Sequence, residues 1–176
     1  MKRLILLFVF IFSLILTSTS QTNWREELEK QLSLMGHRNW VLVVDAAYPL
    51  QVKPGIQTLV TGEDQLDVIK QVLQKIEEAP HVSPDIFLDK EIDFVSEKEV
   101  SDIEKYKKQL DKLLDDQTVT KLLHEQLLQI IDEAGQTYQV LVLKTNQMMP
   151  YTSVFIRLDC GYWNAEQEQQ MRETMK

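Results

Sequence analysis

One stretch decides the fold of this 176-residue chain: Met35-Gly36-His37-Arg38-Asn39-Trp40-Val41-Leu42-Val43-Val44-Asp45-Ala46-Ala47-Tyr48-Pro49. Its central part, residues 40–44, is apolar and rich in β-branched side chains, which predicts a strand buried on both faces of a sheet. Ligands of α/β proteins bind outside the carboxyl ends of such strands, so Asp45 is a candidate binding residue. The simpler alternative is that Gly36-His37 ends a helix and that Asp45 caps a turn.

Helical and extended patterns alternate along the rest of the chain. The spacing of apolar residues predicts helices over 23–35, 64–78, 99–114 and 123–134, and strands over 40–45, 86–95, 118–122, 138–144 and 153–158. Glycine and proline predict loops over 50–62 and 79–84, and Gly135 is expected to end its helix. The alternation indicates an α/β fold: a single three-layer α/β/α domain with a mixed or largely parallel sheet.

The first twenty residues have the pattern of a secretory signal peptide. Lys2 and Arg3 precede an apolar run over 4–16, and small residues follow it over 17–20. This pattern predicts a cleaved signal peptide over 1–20, a domain over 21–163 and a polar C-terminal tail over 164–176. The protein is therefore expected to be exported, to the periplasm or the exterior, with no further membrane segment. An uncleaved N-terminal anchor is the alternative.

The charge and cysteine content exclude several classes of protein. The chain has 19 basic and 27 acidic residues, for a net charge of -8. Such an acidic chain is a poor binder of nucleic acid, since that affinity depends on Lys and Arg that neutralise phosphates. Its one cysteine, Cys160, cannot form an internal disulfide and is expected to be a small buried side chain.

Several common catalytic and metal-binding motifs are absent from the sequence, which directs attention to its three histidines. The sequence has no glycine-rich phosphate loop, no His-Glu-x-x-His or paired-cysteine metal motif and no Gly-x-Ser-x-Gly elbow, so neither a cofactor nor a metal is expected. His81 lies between two prolines and is expected to be a solvated loop residue. His124 lies between a predicted strand and a helix, where either a ligand contact or a surface helix start is possible. Paired-carboxylate chemistry stays open, although nothing singles out a pair among the 27 acidic residues. Proton transfer by histidine near neutral pH is the chemistry that the sequence favours.

Three segments together resemble the ribose pyranase and fucose mutarotase family (RbsD/FucU). They are Gly36-His37 with Val41-Leu42-Val43-Val44-Asp45-Ala46-Ala47-Tyr48-Pro49, then Leu123-His124-Glu125-Gln126, and finally Lys144-Thr145-Asn146-Gln147 with Pro150-Tyr151-Thr152-Ser153-Val154-Phe155-Ile156. The resemblance spans about residues 24–163. It implies a cofactor-free isomerase that interconverts ring forms or anomers of a free monosaccharide, with a ring-shaped homo-oligomer whose sites lie between subunits.

The resemblance also implies roles for five residues. His37 matches the catalytic histidine, which donates a proton, and the sugar-binding positions are Asp45, His124, Tyr151 and Ser153. Ser153 stands where the family usually has asparagine, and its hydroxyl offers one donor in place of two. Arg38-Asn39 and Asn146 also depart from the family pattern. These departures bear on which sugar is bound and on whether turnover is retained.

Geometry alone predicts that one chain cannot complete the site. His37 and Asp45 flank a strand that spans roughly 16 Å at about 3.3 Å per residue. If both contact one small sugar, a neighbouring chain must supply one of them. Two other functions stay open: a sugar-binding protein without turnover, and a structural oligomeric envelope protein that engages a partner through its polar tail.

Overall fold

A computed structural model of the chain describes residues 23–175, so the predicted signal peptide lies outside the described residues. Within that range the helices are α1 (Trp24–Leu32), α2 (Gln65–Glu77), α3 (Ile103–Leu113), α4 (His124–Thr137) and α5 (Ala165–Thr174). The strands are β1 (Trp40–Val44), β2 (Ile56–Val60), β3 (Val82–Asp89), β4 (Val119–Leu122), β5 (Val140–Lys144) and β6 (Val154–Cys160). A 3-10 helix covers Lys90–Phe94. No helix among these residues has both the length and the apolar character needed to cross a membrane.

The six strands form one mixed sheet in the order β2-β5-β1-β6-β3-β4. Strand β6 runs antiparallel to both of its neighbours, and the other five strands are parallel to one another. One edge therefore collects the carboxyl ends of β1 to β5 together with the amino end of β6; we call it the carboxyl edge. The opposite edge, where β1 begins and β6 ends, is the amino edge.

Helices cover both faces of the sheet, which confirms the predicted three-layer α/β/α fold. On one face α1, α2 and α3 pack over a core that includes Val41 and Val43. On the other face α4 packs over Leu42, Val44 and Phe155. Alternate side chains of β1 thus enter opposite cores, and residues 41–44 are fully buried. Burial of each such Val or Leu stabilises the fold by about 1.5–3 kcal/mol. Because a shift of β1 along the sheet would expose these side chains, the position where the strand ends is fixed.

Strand β2 and the end of α4 differ from the sequence prediction. The loop predicted over 50–62 contains β2, which pairs in parallel with β5. As an edge strand with partly exposed residues, β2 lacks the strong apolar pattern of β1. Gly135 lies within α4 rather than at its end. A Cβ atom on Gly55 would lie 2.5 Å from the carbonyl oxygen of Gly135, so these glycines permit a close approach of loop and helix.

The segment around Pro84 also differs from prediction. Strand β3 begins at Val82 within the predicted loop, includes Pro84 and ends at Asp89, where the extended prediction continued to residue 95. Strand β4 pairs with β3 only from Ile86 onward, so the side of Pro84 that faces away from β6 has no neighbouring strand. The missing amide hydrogen of Pro84 therefore leaves no acceptor of β4 without a partner.

His81 is not a solvated loop residue, which corrects the sequence interpretation. It is half-buried, and its Nε2 lies 3.1 Å from the carbonyl oxygens of both Leu32 and Met35. These carbonyls belong to the last turn of α1 and the segment after it, where helical partners run out. His81 therefore joins the start of β3 to the end of α1.

Candidate functional site

Asp45 follows β1 at the carboxyl edge, and two contacts fix its carboxylate. The backbone N–H of Ala47 donates to Oδ1 at 2.7 Å, and the Ser153 hydroxyl donates to Oδ2 at 3.1 Å. Asp45 is half-buried, whereas Ser153 is only 2% exposed. Each carboxylate oxygen can accept more than one hydrogen bond, so Asp45 is oriented to accept bonds from hydroxyl groups of a ligand. Ser153 acts here mainly by holding Asp45.

His124 begins α4 and pairs with Asp89, the last residue of β3. Its Nδ1 lies 3.0 Å from Oδ1 of Asp89. The Asp89 side chain is fully buried, while the His124 side chain is 31% exposed. The pair therefore has an inner carboxyl group and an outer imidazole that reaches the surface of the carboxyl edge.

Glu91 fixes the start of α4 from outside the helix. Its two carboxylate oxygens accept from the backbone N–H of His124 at 3.1 and 3.0 Å. The N-cap residue of α4 is Leu123, whose side chain has no oxygen to cap the helix, so Glu91 supplies the acceptor that the first turn needs. A carboxylate is also favoured at the positive end of the helix dipole. This contact holds the backbone of His124 independently of its ring.

Tyr151 completes the cluster from the loop between β5 and β6. Its ring meets the His124 ring edge to face, with centroids 5.6 Å apart and an interplanar angle of 82°. Its backbone has a φ of 59°, in the left-handed region that non-glycine residues rarely adopt. Such conformations cost on the order of 1–3 kcal/mol and cluster at functional sites. Tyr151 is 38% exposed, so its ring can stack on a ligand.

Burial governs the electrostatics of the cluster. It raises the pKa of Asp89 to about 6; the hydrogen bond from His124 opposes this rise, and the carboxylates of Glu91 and Asp45 add to it. Burial also raises the pKa of Tyr48, with the charges of Asp89 and Asp45 contributing. The second oxygen of Asp89, Oδ2, is buried and has no hydrogen-bond partner among the described residues. Ionised Asp89 is therefore costly at this position.

Strand order explains why these residues meet. Strand β6 lies between β1 and β3, so Asp45 and Asp89 flank Ser153 with their backbones roughly 10 Å apart, two strand spacings. Beside Asp45 the surface forms a recess of about 330 Å³ between the loops that follow β1 and β5. Its lining residues are Asp45, Ala46, Ala47, Met148, Met149 and Pro150. Asp45 is the one charged residue in this lining, so the recess offers a carboxylate beside an apolar surface.

His37 lies at the amino edge, away from the other four predicted site residues. Its side chain is exposed, and the next residue, Arg38, donates its backbone N–H to the carbonyl of Leu158 near the end of β6. The structure therefore brings together Asp45, His124, Tyr151 and Ser153 and leaves His37 across the sheet, about 16 Å away at 3.3 Å per strand residue.

Sequence reasoning missed Asp89. The run Ile86-Phe87-Leu88-Asp89 repeats the pattern of Asp45, an aspartate directly after buried strand residues. That pattern could have identified it, but the neighbouring prolines and the predicted extension to residue 95 obscured the strand end.

The described residues offer no evident metal site. Within residues 23–175, no group of three or more His, Cys, Asp or Glu side chains is arranged to hold a metal ion. Cys160 is free and half-buried at the end of β6, more exposed than the sequence predicted.

Comparison with known families identifies a match over most of the chain. The RbsD / FucU transport protein family matches residues 21–161. None of the curated proteins compared with the chain matches it.

Solved structures share this fold. Bacillus subtilis RbsD complexed with D-ribose aligns at 18% identity with a TM-score of 0.55, covering 82% of this chain and 94% of that chain. The fucose mutarotase of Streptococcus pneumoniae in complex with L-fucose aligns at 18% identity with a TM-score of 0.51, covering 81% and 97%. FucU from Bifidobacterium longum aligns at 14% identity with a TM-score of 0.50, covering 76% and 94%. At such identities the likeness establishes the fold.

Proposed function

Because this chain belongs to the RbsD/FucU family, we propose that it interconverts the ring forms or anomers of a free monosaccharide without a cofactor. The observation that carries the proposal is the cluster at the carboxyl edge: an oriented carboxylate at Asp45, an imidazole at His124 and an aromatic ring at Tyr151. Two structures with this fold hold D-ribose and L-fucose, which makes a pentose or a deoxyhexose the first substrate class to test.

The chemistry needs only proton transfer. To open a cyclic hemiacetal, the anomeric hydroxyl loses a proton, the bond between the anomeric carbon and the ring oxygen breaks, and the ring oxygen gains a proton. Histidine can both donate and accept near pH 7, because its ordinary pKa is about 6.5. In this proposal protonated His37 donates to the ring oxygen, Asp45, held by Ser153, orients sugar hydroxyls, and Tyr151 supports the apolar face of the sugar.

A neighbouring subunit supplies His37 in this proposal. Within one chain, His37 and Asp45 lie on opposite edges of the sheet. A head-to-tail contact that places the amino edge of one copy on the carboxyl edge of the next would bring them together, and such a contact generates a ring when its rotation closes. Exposed Met148 and Tyr151 at the carboxyl edge support this contact, because apolar side chains there would be covered by the partner.

NMR saturation transfer between anomers tests the activity. We expect the protein to accelerate exchange of ribose, fucose or another common monosaccharide above buffer, and His37→Ala to slow it by about 10²–10⁴-fold. Leu34→Ala, which removes an exposed side chain from the same loop, is the control and should retain exchange. Sugar-dependent thermal stabilisation without faster exchange would replace the enzyme by a sugar-binding protein. If the sugar produces neither effect, the structural alternative remains.

Export is the second part of the proposal, supported by the N-terminal pattern of residues 1–20. Fractionation of cells that express the full chain should place the protein outside the cytoplasm, and N-terminal sequencing should find a start near residue 21. A cytoplasmic protein that begins at Met1 would contradict it.

A further inference from the structure

We propose that Asp89 is a positioning residue for His124: it accepts the Nδ1 proton, so that Nε2 presents its lone pair at the carboxyl edge as a base. This role deepens the proposed function and rests on it. His124 would then do more than contact the sugar, since it would exchange a proton with it.

The geometry of the pair is that of an oriented imidazole. Asp89 Oδ1 lies 3.0 Å from His124 Nδ1, and the Asp89 side chain is fully buried. Nε2 forms no hydrogen bond with another described residue, and it is not among the buried unpartnered atoms, so it is open to a ligand. The hydrogen bond at one ring nitrogen decides which nitrogen carries the proton. An ionised Asp89 can only accept, which places the proton on Nδ1.

His124 is held from three directions, two at its ring and one at its backbone. Asp89 contacts it from β3, the Tyr151 ring packs against it from the loop before β6, and Glu91 holds its backbone N–H. The Glu91 contact already fixes the start of α4, so the fold does not require a buried carboxyl group on the ring. Asp89 retains an unpartnered Oδ2 in the interior, a cost of the kind that accompanies functional groups.

The proposed step balances its protons. His124 Nε2 takes the proton of the anomeric hydroxyl, the oxygen electron pair forms the carbonyl, the bond to the ring oxygen breaks, and protonated His37 of the neighbouring copy supplies the proton to that oxygen. Ring closure on the other face of the carbonyl, or through another hydroxyl, returns both protons. The two histidines thus act as base and acid for opening and exchange roles for closure.

One proton taken up by the pair would remove this base. A proton on the imidazole fills Nε2, and a proton on Asp89 Oδ1 makes that oxygen the donor to Nδ1, so that a ring hydrogen lies on Nε2 in both cases. The groups that face the pair are Glu91, Asp45, Tyr48 and Tyr151, and the two carboxylates favour protonation of Asp89. Because the pKa of Asp89 lies at about 6, activity should fall as pH drops through that region.

Nitrogen-15 NMR of the histidine rings tests this role directly, and it does so without any sugar. His124→Gln identifies the His124 signals. Above pH 7, we expect the wild type to carry the proton on Nδ1, and Asp89→Asn to show a mixture of tautomers, since an amide can either donate or accept. Asp93→Asn is the matched control, because Asp93 accepts from Lys121 rather than from the ring. An Nε2 proton in the wild type, or the same tautomer in Asp89→Asn, would overturn the proposal.

Exchange kinetics provide the second measurement. Asp89→Asn should lower the exchange rate at saturating sugar about tenfold or more and displace the acid limb near pH 6, as loss of the orienting aspartate does in catalytic triads. Asp93→Asn should keep both the rate and the limb. An unchanged limb in a folded Asp89→Asn protein would overturn the proposal. A wild type that accelerates no sugar would remove the proposed function, whereas the NMR result would still decide whether Asp89 fixes the ring.

Discussion

The two edges of the sheet differ in how firmly they hold their functional groups. At the carboxyl edge, Asp45, His124 and Tyr151 are each fixed by a hydrogen bond or a ring contact. At the amino edge, His37 is exposed and forms no hydrogen bond with another described residue. The carboxyl edge therefore has the character of a binding surface, and the amino edge offers a proton-transfer group with nothing to act on. Under the proposed function, this difference means that one chain carries halves of two different sites, each completed by a neighbouring copy.

Removal of Asp45 should produce the largest effect at the carboxyl edge. In the proposed site, Asp45→Ala deletes a carboxylate that accepts hydrogen bonds from the sugar, and a hydrogen bond to a charged group typically contributes about 1.5–3 kcal/mol. We expect sugar affinity or exchange efficiency to fall by about 10²–10⁴-fold, measured by titration calorimetry and saturation transfer. Asp111→Ala, on exposed α3 surface, should have no effect. Full affinity in Asp45→Ala would place the sugar elsewhere.

Asp89 should make stability depend on pH. Its pKa of about 6 lies above the ordinary value of 3.8, so between these values the folded protein holds a proton that the unfolded chain has lost. That proton stabilises the fold at low pH, and the stabilisation is lost as pH rises through 6. Relative to Asp89→Asn, the wild type should lose up to about 3 kcal/mol between pH 4 and 7.

Urea unfolding of both proteins across this range measures the difference. A constant offset between wild type and Asp89→Asn at every pH would show that Asp89 has the same pKa in both states.

Ser153 tests how much the orientation of Asp45 contributes. Ser153→Ala removes one hydrogen bond of 3.1 Å, which typically contributes about 0.5–1.5 kcal/mol. We expect sugar affinity to fall about two- to twelvefold, with Ser153→Thr retaining the hydroxyl as a control. A loss as large as that of Asp45→Ala would indicate that Ser153 contacts the sugar itself.

Deletion of residues 164–176 should have the smallest effect on stability. Helix α5 follows the amino edge and has no buried residue, so its removal exposes no described core. We expect the free energy of unfolding, measured by thermal denaturation, to change by no more than about 0.5 kcal/mol, as for a typical surface substitution. Loss of assembly upon deletion, seen by light scattering, would instead show that the tail engages a partner.

The sequence predicted the fold best where a strand is buried on both faces of the sheet. Strand β1 is buried on both faces and produced an unmistakable apolar run that ends at Asp45. Strand β2 is the outermost strand on one side of the sheet and is partly exposed, so its residues lack that pattern. The nearby Gly55 also favoured the prediction of a loop. The glycines act through a close approach of loop and helix, which no local pattern reveals.

The site could be predicted only in part. The family resemblance named Asp45, His124, Tyr151 and Ser153, which the structure places at one edge of the sheet. Asp89, by contrast, reaches His124 through the parallel pairing of β3 with β4, across 35 positions. His81 looked solvated because its contacts, the carbonyls of Leu32 in α1 and of Met35 just after it, lie more than 40 positions away along the chain. Pairings of this kind are set by tertiary packing and leave no spacing signal.

Mixing two inactive variants tests the central claim most directly. His37→Ala and Asp45→Ala are co-expressed or refolded together at equal amounts, and anomer exchange is measured by saturation transfer. If each site joins His37 of one copy to Asp45 of the next, about one quarter of the sites in random mixed assemblies regain both side chains. The account predicts recovery to roughly a quarter of wild-type exchange. Mixed assemblies that stay as inactive as either variant alone would contradict it.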